Sequence, residues 1–292
     1  MLFSRGKKTN PISAYVRTPW TSLSAKVRGE RLDNDDAGKL KLDFSRLAKA
    51  SFITPATIEL DVARDFSIVK RRLFRRLCFF GPEHDQSGEG AKRRCPVVLL
   101  TSGNPGEGKT FSSINFALSL AIEEQLNVLL IDTDLAKPSV TNVIGFPYRK
   151  RGLFDCLSDP SLPLDEIILP FEQLSLSVMP GGEAKTAPSS LLGGKAMVDV
   201  LQRIKDLNLY DILVLDGPPL LATTEAAVLA PHADEVVLVI GAGDATSTQL
   251  DASLDLLDVS TDKVSLLLNR AVISERRTGY YGHDYREDQV PA

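Results

Sequence analysis

Residues 103–110, Gly-Asn-Pro-Gly-Glu-Gly-Lys-Thr, fit the pattern G-x-x-x-x-G-K-[ST]. Such a run can hold a phosphate chain: its glycines let the backbone turn tightly and aim successive N–H groups at phosphate oxygens. A helix opening at Lys109 would add the positive end of its dipole. The lysine ammonium of this pattern reaches the β- and γ-phosphates, and the threonine hydroxyl serves Mg²⁺. Gly103, Asn104, Pro105, Gly106, Glu107, Gly108, Lys109 and Thr110, with Phe111 behind them, are therefore the candidate nucleotide site. Two other segments end apolar runs on acids: Val128–Ile131 on Asp132-Thr133-Asp134, and Ile212–Leu215 on Asp216. A lone Asp after an apolar run is usually a turn or a helix cap. Three of them converging on one phosphate loop supply the oxygen-rich negative charge that Mg²⁺ needs, so Thr110, Asp132, Asp134 and Asp216 form the candidate metal set. Asn269 and Arg270 follow the last apolar run, and a guanine-reading N-K-x-D would need Asp where Val272 stands. That favours ATP, with Asn269 and its neighbour Arg270 as nucleotide contacts or strand-end turn residues.

A second chemical signal lies near the C-terminus. Three of the six tyrosines, Tyr280, Tyr281 and Tyr285, cluster there among Gly, Arg and Asp, with no apolar partners to pack against. Such a cluster suits phosphoacceptors better than a core.

The elements that must position these groups are legible from residue 95 onward. Short apolar runs at Val97–Leu100, Val128–Ile131, Ile212–Leu215, Val236–Ile240 and Val264–Leu268 alternate with helical stretches near 109–124, 189–206, 222–230 and 246–258. Nearly continuous apolar strands separated by helices predict a doubly wound, mostly parallel α/β sheet of P-loop NTPase type. Ligands of such a sheet bind at the carboxyl ends of its strands. Before it, Phe66, Val69, Leu73 and Leu77 recur at helical spacing with Lys70, Arg71, Arg72, Arg75 and Arg76 on other faces. The division expected is a flexible segment 1–42, a helical extension 43–80, a linker or exposed loop 81–95, a P-loop domain 96–270 and a flexible tyrosine-bearing tail 271–292.

Composition sets the outer bounds. The 292 residues are 43% hydrophobic and 25% charged, which describes a globular chain and excludes collagen, coiled coil and wholesale disorder. No apolar run reaches the ~18–20 residues of a spanning helix, and the N-terminus lacks a secretory signal's apolar stretch. Three separated cysteines, without a C-x-x-C pair, argue against a disulfide scaffold and for a reducing, cytoplasmic setting. Net charge is +9 over residues 1–95 and −13 over 96–292. The first third therefore suits an anionic partner: a membrane surface or the acidic body of this or a neighbouring chain. No nucleic-acid recognition motif accompanies the charge. The basic helix 64–77 would either lie on anionic headgroups or pack Phe66, Val69 and Leu73 inward or on a neighbour.

The segments SGNPGEGKT, LLIDTDLAKP and LVLDGPP, with GLFDCL at 152–157 and MPGG at 179–182, together resemble the bacterial P-loop tyrosine kinases of exopolysaccharide synthesis. The stretch TPATIELDVARDFSIVKRRL resembles most the stand-alone autokinases of exosortase-linked systems. The resemblance implies that Lys109 binds phosphate, that Thr110 binds Mg²⁺, and that Asp132 takes the proton of the attacking hydroxyl and assists at the metal. It implies that Asp134 and Asp216 hold Mg²⁺ through water, with Lys109, Asp132 and Asp134 as the catalytic set. Tail tyrosines would be the acceptors. A phenol of pKa ~10 needs such a base at neutral pH. The residues from Asn269 to Tyr285 can extend to roughly 50 Å, enough for transfer between protomers. Implied partners are further copies of the chain and a membrane-bound polysaccharide chain-length determinant, which would place it at the inner membrane face.

This sequence departs from the family at three points. Ala136 replaces an Arg of the second motif, with Lys137 beside it. The assembly motif E-x-x-R-x-x-R aligns on Arg64, Ser67 and Lys70, keeping only the last charge. Ser190 replaces a Glu. The competing functions are a switch ATPase that positions chromosomes or division sites, and an ATP-binding scaffold. The first would carry a lysine where Asn104 stands; the tyrosine-rich tail speaks against the second.

Overall fold

The structure, a computed structural model, describes residues 13–16, 40–79, 94–146, 150–184 and 189–271. Eight strands build one sheet: β1 (Ser13–Val16), β2 (Val97–Ser102), β3 (Val128–Asp132), β4 (Leu169–Pro170), β5 (Leu176–Met179), β6 (Ile212–Pro219), β7 (Glu235–Gly241) and β8 (Val264–Asn269). Their order is β1-β8-β7-β2-β6-β3-β5-β4, and only the β4–β5 pair is antiparallel. The helices are α1 (Phe44–Lys49), α2 (Asp61–Arg76), α3 (Lys109–Glu123), α4 (Val140–Ile144), α5 (Leu153–Ser158), α6 (Ser189–Leu192), α7 (Lys195–Asp206), α8 (Glu225–Leu229) and α9 (Ser247–Leu256).

The central strands are buried on both faces, as near-continuous Val/Leu/Ile runs require. One face packs Val98, Leu130 and Val214 against α2 and α3 through Phe66, Val69, Leu73, Ile114 and Leu118. The other packs Leu99, Leu129 and Leu215 against α5, α7 and α8 through Leu157, Met197, Ile204 and Leu229. The doubly wound sheet read from the sequence is thus the one present.

Four details depart from the pattern. The segment expected to be flexible before residue 43 contributes β1, whose four residues add to the otherwise open edge of β8. The helix expected over 189–206 breaks at Gly193-Gly194 into α6 and α7, where two poor helix formers stand together. Strands β4 and β5 were hidden in a short mixed run. Finally, β6 does not stop at Asp216 but continues through Pro218 and Pro219. Proline is tolerated in this central strand because β3 has already ended opposite Asp216, leaving no ladder on that side for a missing N–H to break.

Helix α2 turns its apolar stripe inward, onto α3 of the same chain. Lys70, the charge that the assembly motif retains, goes with it. Its side chain is 1% exposed, with Nζ 2.8 Å from Glu123 Oε2 and 3.1 Å from Glu124 Oε1. The Ser67 hydroxyl donates to the same Glu123 oxygen at 2.9 Å. At the far end of the helix, Arg76 pairs with Glu235 at the start of β7, at 2.8 Å. The face left outward carries Arg64, Ile68, Arg71 and Arg75. Burial pushes the Cys95 thiol up to about 12 and the Cys156 thiol up to about 11, so both behave as small apolar fillers.

Candidate functional site

The phosphate loop joins β2 to α3 and passes over the carboxyl ends of β6 and β3. Gly108 caps α3 with φ 95, a left-handed conformation, and a Cβ there would overlap the Asn269 amide. The helix itself is held by its apolar face, so Lys109 and Thr110 in its first turn are fixed in direction.

Every acid predicted from the sequence, Asp132, Asp134 and Asp216, comes to this loop. Asp132 and Asp216 are register partners at the ends of β3 and the β3-paired part of β6, and both are fully buried. Thr110 Oγ1 donates to Asp216 Oδ2 at 2.7 Å, and Ser113 Oγ, one turn along α3, donates to Asp216 Oδ1 at 2.8 Å. Lys109 Nζ lies 2.8 Å from Asp134 Oδ2. Asp132 Oδ2 accepts the N–H groups of Ser139 and Val140 at 2.8 and 2.9 Å. Asp134 Oδ1 accepts the Lys137 N–H at 3.1 Å.

The electrostatics follow from this crowding. Burial pushes Asp132 up to about 8; the charge of Asp216 adds to the rise, and the two backbone N–H groups only partly offset it. Asp216 is also raised, by burial first, against the opposing pull of Lys109, Thr110 and Ser113. Burial would lower Lys109, but the charges of Asp216 and Asp134 outweigh it and hold the ammonium above its ordinary range. Three carboxyl groups thus face one ammonium, and burial holds Asp132 and Asp216 toward their protonated forms; a divalent cation at the site would favour their ionised forms. Among the described residues no cluster of three or more His, Cys, Asp or Glu is spaced to cage a metal alone. Mg²⁺ keeps waters and takes substrate phosphates with one or two protein oxygens. Thr110 and Asp216 are the pair placed to serve it, with Asp132 beside them, whereas Asp134 is engaged by Lys109.

The other predicted residues fall around the loop. Asn269 donates from Nδ2 to the Glu107 carbonyl at 2.8 Å, and its Oδ1 accepts the Arg270 N–H at 2.9 Å. Arg270 pairs with Asp244 at 2.8 Å and donates to the Gly106 carbonyl. Phe111 is buried against Phe52 of the N-terminal extension, ring centroids 5.0 Å apart. It therefore supports the loop from behind. Tyr280, Tyr281 and Tyr285 lie outside the described residues. Sequence reasoning missed Ser113 and Ser139. Ser113 could have been found, because a hydroxyl three residues after Thr110 shares its helix face. Ser139, whose hydroxyl lies 3.2 Å from that of Thr110, sits in a loop and gave no periodic signal.

Residues 97–258 match the family model described as the AAA domain. The chain is 30% identical over 192 residues to the tyrosine-protein kinase YwqD of Bacillus subtilis (strain 168), covering 65% of this chain and 79% of that one. It is similar in structure to the VpsO kinase domain, with a TM-score of 0.56 at 29% identity over 71% of this chain and 99% of that one. The kinase domain of the Escherichia coli tyrosine kinase ETK shares the fold, with a TM-score of 0.64 at 22% identity over 93% of this chain and 94% of the other.

Proposed function

The chain belongs to the bacterial tyrosine-protein kinases of the AAA-domain family, and from that premise we propose that it transfers the γ-phosphoryl group of ATP to tyrosines of its own C-terminal tail, between protomers, in the control of exopolysaccharide synthesis. The observation that carries this reading is the meeting of Lys109, Thr110, Asp132, Asp134 and Asp216 at the carboxyl ends of β2, β3 and β6.

In this reading the loop N–H groups and Lys109 hold the β- and γ-phosphates, and Lys109 leaves Asp134 to follow the charge as it develops. Thr110 and Asp216 would hold Mg²⁺, which would supply positive charge to offset that of the phosphates. Asp132, once ionised, is the carboxylate proposed to take the proton of a phenol of pKa ~10 as its oxygen attacks. Most of the rate comes from positioning and charge, because phosphoryl transfer asks for little covalent chemistry from the protein. Tyr280, Tyr281 and Tyr285 are the proposed acceptors. Asn269 and Arg270 border the nucleotide, and a membrane-bound chain-length determinant is the proposed partner. No helix among the described residues is long and apolar enough to cross a membrane.

The test incubates purified protein with labelled ATP and maps the phosphosites in wild type, Lys109→Met, and a variant with Phe at positions 280, 281 and 285. Label on tail tyrosines that both variants lose supports the reading. Label on serine, or label that persists in Lys109→Met, overturns it. Phosphate release without tail labelling would point instead to a switch ATPase.

A further inference from the structure

Glu107 is a carboxylate inside an anion-binding loop, a placement that would repel phosphate if the side chain faced the nucleotide. It does not face it. The side chain is buried, and its two oxygens are committed elsewhere. Oε2 accepts the Asn104 N–H at 2.7 Å, a chord across the loop, and Oε1 accepts the Gly241 N–H at 3.3 Å at the end of β7. The backbone carbonyl of the same residue accepts Asn269 Nδ2 from the end of β8 at 2.8 Å. One residue therefore pins the loop to itself and to the ends of two strands that carry none of the catalytic acids.

We infer that Glu107, with Asn269, is a positioning residue that holds the phosphate cradle in its binding shape before nucleotide arrives; this deepens the kinase reading and rests on it. A loop with two left-handed glycines, Gly106 and Gly108 at φ 88 and 95, has many conformations open to it, and its converging N–H dipoles repel one another while no anion is present. The Glu107 carboxylate counters both effects from behind. It draws the Asn104 N–H away from the phosphates, and Pro105 has no N–H to offer. The N–H groups of Gly106 to Thr110 remain as the donors. Preorganisation of this kind lowers the ordering cost of binding. Its loss falls on ligands that carry phosphates and spares those that do not.

The experiment measures dissociation constants for Mg-ADP and for adenosine on the full chain, in wild type, Glu107→Gln, Glu107→Ala and Asn269→Ala, with melting temperatures alongside. Glu107→Ala is expected to weaken ADP by about 10- to 100-fold, the loss of hydrogen bonds to a charged acceptor, while adenosine moves less than about 3-fold. Glu107→Gln keeps one acceptor oxygen and should fall between. Asn269→Ala should weaken ADP in the same sense and by less. A uniform loss for both ligands, or a lowered melting temperature with ADP affinity unchanged, would overturn the assignment and leave Glu107 as a fold-stabilising residue only. If wild type itself bound no Mg-ADP, the kinase reading would fall, and that result is distinct from a variant that fails to discriminate.

Discussion

Two lysines on neighbouring helices, Lys70 fully buried and Lys109 partly so, show how the same pairing serves opposite ends. Lys70 on α2 meets Glu123 and Glu124 at 2.8 and 3.1 Å, and those carboxylates keep 18% and 35% of their side-chain surface. Ser67 and Ser119 donate to Glu123 as well. The charges there are partly solvated and well bonded, and nothing in the arrangement calls for another ion. Lys109 on α3 meets Asp134 at the same 2.8 Å, but with Asp132 and Asp216 behind it at zero exposure. Both acids are raised by burial. The first site is a clasp between the N-terminal extension and the P-loop helix; the second is held out of balance until a cation and phosphates enter. Proximity of opposite charges does not separate the two. The ratio of acids to bases at full burial does.

Replacing the two lysines separates these roles most sharply. Lys109→Met should lower autophosphorylation by up to about 10³-fold, the upper end of the scale for removing a group that stabilises developing charge, with the melting temperature little changed or raised. Lys70→Met should lower stability by ~1–3 kcal/mol, since it leaves two half-solvated carboxylates unpaired, while specific activity of the folded fraction persists. Loss of labelling in Lys70→Met well below its melting temperature would break the comparison and make the clasp part of the machinery. A smaller effect should follow Asp216→Asn. Tail labelling should fall about 10²-fold with a raised requirement for Mg²⁺, and a rate at saturating Mg²⁺ equal to wild type at ordinary Mg²⁺ would show that Asp216 acts through the metal.

Much of the sheet and the three acids were legible because their signals are local. Val97–Leu100 and Val128–Ile131 are unbroken apolar runs, and an Asp at such an end can only reach the ligand side of a parallel sheet. Leu176–Met179 was not legible: its Ser177 breaks the run, and its strand form comes from lying between β3 and β4. Glu107 was legible as a residue of the loop, but the direction of its side chain is decided by Asn104 and by Gly241, far along the chain. Lys70 shows the same limit. Its helical period could not tell whether a basic position faces solvent, a neighbour or a pair of glutamates on the next helix. Contacts between residues distant in sequence settle those questions, and neither residue type nor spacing encodes them locally.

The subtlest difference between the two lysine sites is their response to pH. In the nucleotide-free protein Asp132 is pushed up to about 8 from an ordinary 3.8, by burial and then by the charge of Asp216. The unfolded chain gives up that proton near the ordinary value, so between the two values the folded state holds more protons. Stability from this group is therefore complete below about pH 4 and declines as pH rises toward 8. Asp132→Asn removes the titration while keeping an oxygen to accept the Ser139 and Val140 N–H groups. It should flatten the fall in melting temperature between about pH 5 and 8 and be the more stable protein at the upper end, though without tail labelling. Lys70→Met should leave the slope of the fall as in wild type, because Lys70 pairs with Glu123 and Glu124 and with none of the acids at the phosphate loop. A wild-type melting temperature that climbs through the same window, or an equal slope in Asp132→Asn, would mean that Asp132 is ionised in the resting protein and that the imbalance is met in some other way.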